Sequence, residues 1–181
     1  MSGPTDAPPP ALPDDKDWTW VLERPCPECG ADVSQLSVAE VAELNRTCGA
    51  DWAELLRTRA DVRDRPEPDV WSPLEYGAHV RDVFQLFLGR LDLMLSEDDP
   101  LFANWDPNIT QVAERYDLQD PNVVAEEVVL AANAIADRFD GLSDQQLQRT
   151  GRRSDGASFT VETFARYEIH DPLHHLWDVR Q

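Results

Sequence analysis

A chain of 181 residues suits one domain, and its 41% hydrophobic content is enough to build a core. With 35 acidic against 16 basic residues the net charge is −19, which argues against nucleic-acid binding and against docking on an anionic membrane. No stretch approaches the roughly 18 consecutive apolar residues of a membrane span.

The chain opens with MSGPTDAPPPALPDDKD, rich in proline and acid and without the basic and apolar regions of a signal peptide. Residues 1–17 are therefore expected to be a disordered tail and the protein cytoplasmic. Residues 18–36 form a separate cysteine-containing segment, and residues 37–181 are expected to fold as one all-α domain. Within the short segment, RPCPECG has the form of a zinc knuckle, but a structural zinc site needs a second half that the sequence does not display. Cys26 and Cys29 read first as a reduced, partly packed loop; a zinc site completed by Cys48 and one histidine, a redox dithiol, or a thiol near the metal are the alternatives.

Four segments carry helical periodicity. The first opens at Ser37, where Ser37 and Glu40 match a capping box, and its stripe runs Val41, Leu44, Cys48, Trp52, Leu55. The second has Ser72 as N-cap, Pro73 at N1 and Glu75 at N3, and extends to about Ser96. DDPLFANWDPNITQVAERYDLQD follows as a long irregular connection. The third helix starts with Asp120 and Pro121 and ends near Gly141. A polar stretch with Ser154-Asp155-Gly156 then suggests a tight turn or small hairpin, and the fourth helix is expected from Thr160 to Asp178. Four amphipathic helices in one domain imply a four-helix bundle with long crossover loops.

Only four histidines are present: His79 on the second helix, and His170, His174 and His175 on the fourth. His170 and His174 are four residues apart, so their Cβ atoms lie roughly 5–6 Å apart on one face. His79 lies ~9 Å from the start of its helix, and His170 and His174 ~12 and ~6 Å from the end of theirs. The three rings come level if the two helices run antiparallel, and they would then share one divalent ion. His175, turned about 100° from His174, is expected to point away. Pro172 sits between the expected ligands and removes a backbone hydrogen bond from the helix.

The chain resembles the DinB-like superfamily of metal-binding four-helix bundles, especially its actinobacterial, thiol-associated members. The resemblance is carried by WSPLEYGAHVRDV, by Asn104-Trp105-Asp106, by GRRSDGASFTVETFARY and by HDPLHHLWDV. It implies a Zn²⁺ or Ni²⁺ ion on His79, His170 and His174. It also implies a metal-dependent transferase or isomerase that uses mycothiol or a similar thiol. The partners would then be a small-molecule thiol and an electrophile, and a homodimer is allowed. Asp82, Glu75 and Asp171 are candidates to orient the histidines. Arg152 and Arg153 are candidates to pair with a substrate carboxylate, and Trp71, Trp105 and Trp177 to wall a pocket. A non-catalytic metal-containing binding bundle and a metal-dependent hydrolase are the alternative readings.

Overall fold

Each long helix begins at a capped N-terminus, so the starts follow directly from local sequence. A computed structural model describes residues 8–9, 11 and 16–181, and the expected disordered tail falls largely outside these residues. A short 3-10 helix, Trp18–Leu22, precedes α1, Val38–Thr58. In α1 the Ser37 hydroxyl accepts from the Glu40 N–H at 3.2 Å, and the Glu40 carboxylate accepts from the Ser37 N–H at 2.7 Å. Helix α2, Pro73–Ser96, starts on the Ser72–Glu75 capping box with Pro73 in its first turn. Helix α4, Pro121–Asp140, is capped by Asp120, whose side chain accepts from the Asn122 N–H.

Two features of the connections depart from expectation. The stretch after α2 is not wholly irregular: it holds α3, Pro107–Ala113, and a 3-10 turn, Tyr116–Leu118. Asp106 followed by Pro107 is the same start signal as Asp120 followed by Pro121. Helix α3 has only seven residues and shows too little periodicity to announce itself. After α4 comes a second unexpected helix, α5, Asp144–Leu147; the hairpin that follows, β1, Thr150–Arg152, paired antiparallel with β2, Ser158–Thr160, is the one the sequence suggests. Gly156 takes φ +96° in its turn, which a side chain would disfavour.

Helix α6, Val161–Asp178, is capped at Thr160 and continues through Pro172 without a break. The Pro172 carbonyl accepts from the Trp52 indole N–H at 3.1 Å, tying α6 to α1. The bundle is built from α1, α2, α4 and α6, with α1 and α2 each packed against α4 and α6. Gly49 lets α1 approach α4 closely, since a Cβ there would lie 2.6 Å from the Ala132 Cβ. The core is continuous and includes Trp52, Leu74, Phe84, Ile135, Phe164 and Ile169. His79 and His175 meet at one level, while Phe87 meets Phe164 further along, so α2 and α6 run antiparallel. No helix among the described residues is long and apolar enough to cross a membrane.

Candidate metal centres

The last turns of α6 present two faces, each bearing an i,i+4 pair of ligand-type side chains. His170 and His174 lie on one face and Asp171 and His175 on the other. Both pairs obey the same spacing rule, and what each meets depends on the neighbouring element.

The second face looks onto α2. His79 Nε2 and His175 Nε2 each lie 3.6 Å from Asp171 Oδ1. That is too long for a hydrogen bond and close to the ~3.4 Å that two ligands keep around one tetrahedral ion with bonds of about 2.0–2.2 Å. Asp171 Oδ1 is itself buried and has no hydrogen-bond partner among the described residues, although its side chain as a whole is 40% exposed. Burial raises the Asp171 pKa, but the charges of His175, His79 and His170 outweigh it and hold the carboxyl down at about 2. Burial lowers the pKa of His79, which favours the neutral ring, the form that binds a metal. The Asp178 carboxylate lies 3.1 Å from His175 Nδ1. Accepting the Nδ1–H proton there leaves the Nε2 lone pair facing Asp171 and His79.

The first face looks onto the N-terminal segment. Cys26 Sγ lies 3.7 Å from His174 Nδ1, and Cys29 Sγ lies 3.7 Å from His170 Nε2. Burial, followed by the charge of His174, lowers the His170 pKa to about 4. Burial raises the Cys29 thiol to about 11, so without a metal Cys29 is not poised as a thiolate at neutral pH.

The histidines therefore do not gather as expected. His79 is grouped with Asp171 and His175, whereas His170 and His174 are grouped with Cys26 and Cys29. His175, expected to point away, faces the second helix. The expectation placed the 170/174 stripe against that helix; the bundle rotates α6 so that the 171/175 stripe meets it. D-x3-H at 171–175 is as regularly spaced as H-x3-H at 170–174, and that was the available signal.

A pocket of about 420 Å³ opens beside the His79 group. His79 stacks on Trp105 with ring centroids 5.4 Å apart, and Trp71 and Tyr76 also line the cavity. Trp177 is not among the lining residues and packs on His174 instead, while Trp18 takes part in the wall.

Residues 51–179 match the DinB superfamily. The chain belongs to that superfamily. No curated protein matches it. Among solved structures it is similar, at 16% identity and TM-score 0.69, to YfiT from Bacillus subtilis, described as a "probable metal-dependent hydrolase with an unusual four-helix bundle topology". That likeness covers 87% of this chain and 89% of the other.

The remaining expected residues divide between site and scaffold in this DinB-superfamily bundle. Arg153 lines the pocket, where its Nη1 donates to the Tyr167 hydroxyl at 2.6 Å and its guanidinium pairs with Asp155. Arg152 does not line the pocket; it pairs with Asp99 at 2.7 Å on the surface. Glu75 does not touch His79, because its carboxylate is taken up by Arg65, Gln111 and the Ser72 N–H. Asp82 accepts from Arg81 and the Tyr116 hydroxyl instead of orienting His79. Asp171, expected as an outer partner, supplies a candidate ligand atom itself.

Proposed function

We propose that the protein is a metal-dependent enzyme that joins a small thiol to an electrophile in this pocket. The observation that carries the reading is the convergence of His79 Nε2, His175 Nε2 and Asp171 Oδ1 beside a cavity large enough for a small molecule. The orphaned Asp171 Oδ1 fits a divalent ion such as Zn²⁺ or Ni²⁺. Such an ion, bound by three protein ligands, keeps a position open and lowers the pKa of a thiol or water that takes it.

The side chains around that position bind and orient. Asp178 holds the His175 ring in the ligand tautomer. The Trp71 and Trp105 rings hold His79 in place and keep water from one side of the cavity. The Trp71 indole N–H and Asn108 Oδ1 are buried at the cavity and lack hydrogen-bond partners among the described residues, so they offer one donor and one acceptor to a polar ligand. Arg153 can pair with a carboxylate on the thiol or on the electrophile. Cys26 and Cys29 do not line the pocket, so the reacting thiol comes from outside the chain. A mycothiol-type cofactor fits that requirement, and the reducing cytoplasm that would supply it would also keep Cys26, Cys29 and Cys48 unpaired, as they are here.

Hydrolysis is the second reading, favoured by the likeness to YfiT, since water can take the same open position. The two part in one assay. Protein loaded with Zn²⁺ or Ni²⁺ is given mycothiol and a generic electrophile, and thiol consumption is followed beside the His79→Ala and His175→Ala variants. Thiol loss that needs both histidines supports the transferase. Product formed at an equal rate without thiol supports hydrolysis. Stoichiometric metal with neither product overturns both and leaves a binding module.

A further inference from the structure

The Cys26–Gly30 turn has no part in the proposed reaction, yet it is closed and docked. The Gly30 N–H donates to the Cys26 carbonyl at 2.9 Å, and the Cys26 N–H donates to the Ala31 carbonyl at 2.8 Å. Gly30 sits at φ +75°, a conformation that a glycine after the second cysteine provides at low cost. The turn points both sulfurs at α6, where the four candidate ligand atoms of Cys26, Cys29, His170 and His174 all lie within 4.8 Å of one another.

We propose that these four residues bind a second metal ion, a zinc held by two thiolates and two imidazoles, which clamps the N-terminal segment onto α6. Bonds of about 2.3 Å to sulfur and 2.0–2.1 Å to nitrogen place S and N about 3.6 Å apart across a tetrahedral angle. The two cross-pairs stand at 3.7 Å. Two separate S–H···N contacts would satisfy each pair alone but would not require all four atoms to converge. Binding releases the two thiol protons to solvent, so a divalent cation with two thiolates is neutral overall. A neutral centre suits this burial, with Cys26 1%, His170 3% and His174 7% exposed. All four positions are filled by protein, the mark of a structural zinc, whereas the His79 group keeps one open.

Half of the clamp lies outside the family match: Cys26 and Cys29 precede residue 51, whereas His170 and His174 fall within residues 51–179. Its effect nonetheless falls on the proposed catalytic turn. His170 and His174 bracket Pro172, where α6 lacks a backbone N–H, and Asp171 and His175 lie on the same two turns. Holding the 170/174 face by a metal fixes the rotation of the 171/175 face. It also seats Trp18, whose ring lies 5.2 and 4.9 Å from those of His170 and His174 and which walls the pocket.

Cobalt substitution separates the two sites, because only the proposed clamp contains sulfur. Cobalt-loaded protein, with no thiol added, should show a sulfur-to-metal charge-transfer band. The band should be lost in Cys26→Ser/Cys29→Ser and kept in His79→Ala/His175→Ala, and metal content should fall from two ions per chain to one in each double variant. Absence of the band in folded, metal-replete protein, or its survival in the serine variant, overturns the clamp. Failure of the His79 group to bind metal would leave the band in place and count only against the proposed function. Should the serine variant fail to fold, titration of the native zinc protein with a mercurial decides. One zinc released per two thiols is expected, and modification of the thiols without zinc release overturns the proposal.

Discussion

Asp178 is the carboxylate through which the pocket site can be weakened without touching a ligand. Its Oδ2 lies 3.1 Å from His175 Nδ1, and its Oδ1 lies 3.7 Å from His174 Nε2. In Asp178→Asn the shape is retained and the charge is lost. The amide can also present its N–H to Nδ1, which would move the ring proton to Nε2, where the ion must bind. A hydrogen bond to a charged group contributes about 1.5–3 kcal/mol. The two side chains keep 20% and 28% exposure, so the lower half of that range applies. Loss of such an outer partner typically costs metal affinity 10–100-fold, or about 1.4–2.7 kcal/mol; we expect 10- to 30-fold at the pocket site. His174 has a second carboxylate, Glu28, at 3.6 Å, so the cysteine-containing site should lose less. Competition of the metal-free protein against a chromophoric chelator gives both affinities. An unchanged pocket affinity, or an equal loss at both sites, would refute the role given to Asp178.

Four further substitutions test the geometry. His175→Ala should remove the pocket ion and the thiol-transfer activity, whereas His174→Ala should remove the other ion first; elemental analysis of both proteins checks this, and the reverse pattern would return the pocket to the 170/174 face. Arg65→Ala should destabilise the fold by about 3 kcal/mol, because Glu75, 1% exposed and paired with Arg65 at 2.5 Å, would be left as a buried charge held only by Gln111 and the cap; denaturant midpoints at constant m-value would report it. Gly49→Ala adds helix propensity of about 1 kcal/mol, yet its Cβ would meet Ala132 at 2.6 Å. Overpacking of about 1–3 kcal/mol should outweigh the gain and lower Tm, and a higher Tm would show that α1 and α4 separate freely.

The linear chain determined whatever depends on neighbours within a turn or two. The Ser37–Glu40 and Ser72–Glu75 boxes, Asp120-Pro121 and Thr160 start their helices where the sequence predicts, because capping is local chemistry. The apolar stripes of those helices imply a bundle, and the motifs around His79 and in HDPLHHLWDV mark the family. Which histidines face one another was not local. His170 and Asp171 each begin an i,i+4 pair, and a rotation of α6 by about 100°, one residue step, exchanges them. That rotation is decided by packing: Trp52 donating to the Pro172 carbonyl, Phe164 against Phe87, and Arg166 donating to the Leu36 carbonyl at 2.7 Å. The missing half of the cysteine knuckle was hidden for the same reason. Its partners lie 141 and 148 residues further along the chain, and only the docking of residues 18–36 on α6 brings two sulfurs and two imidazoles to one point.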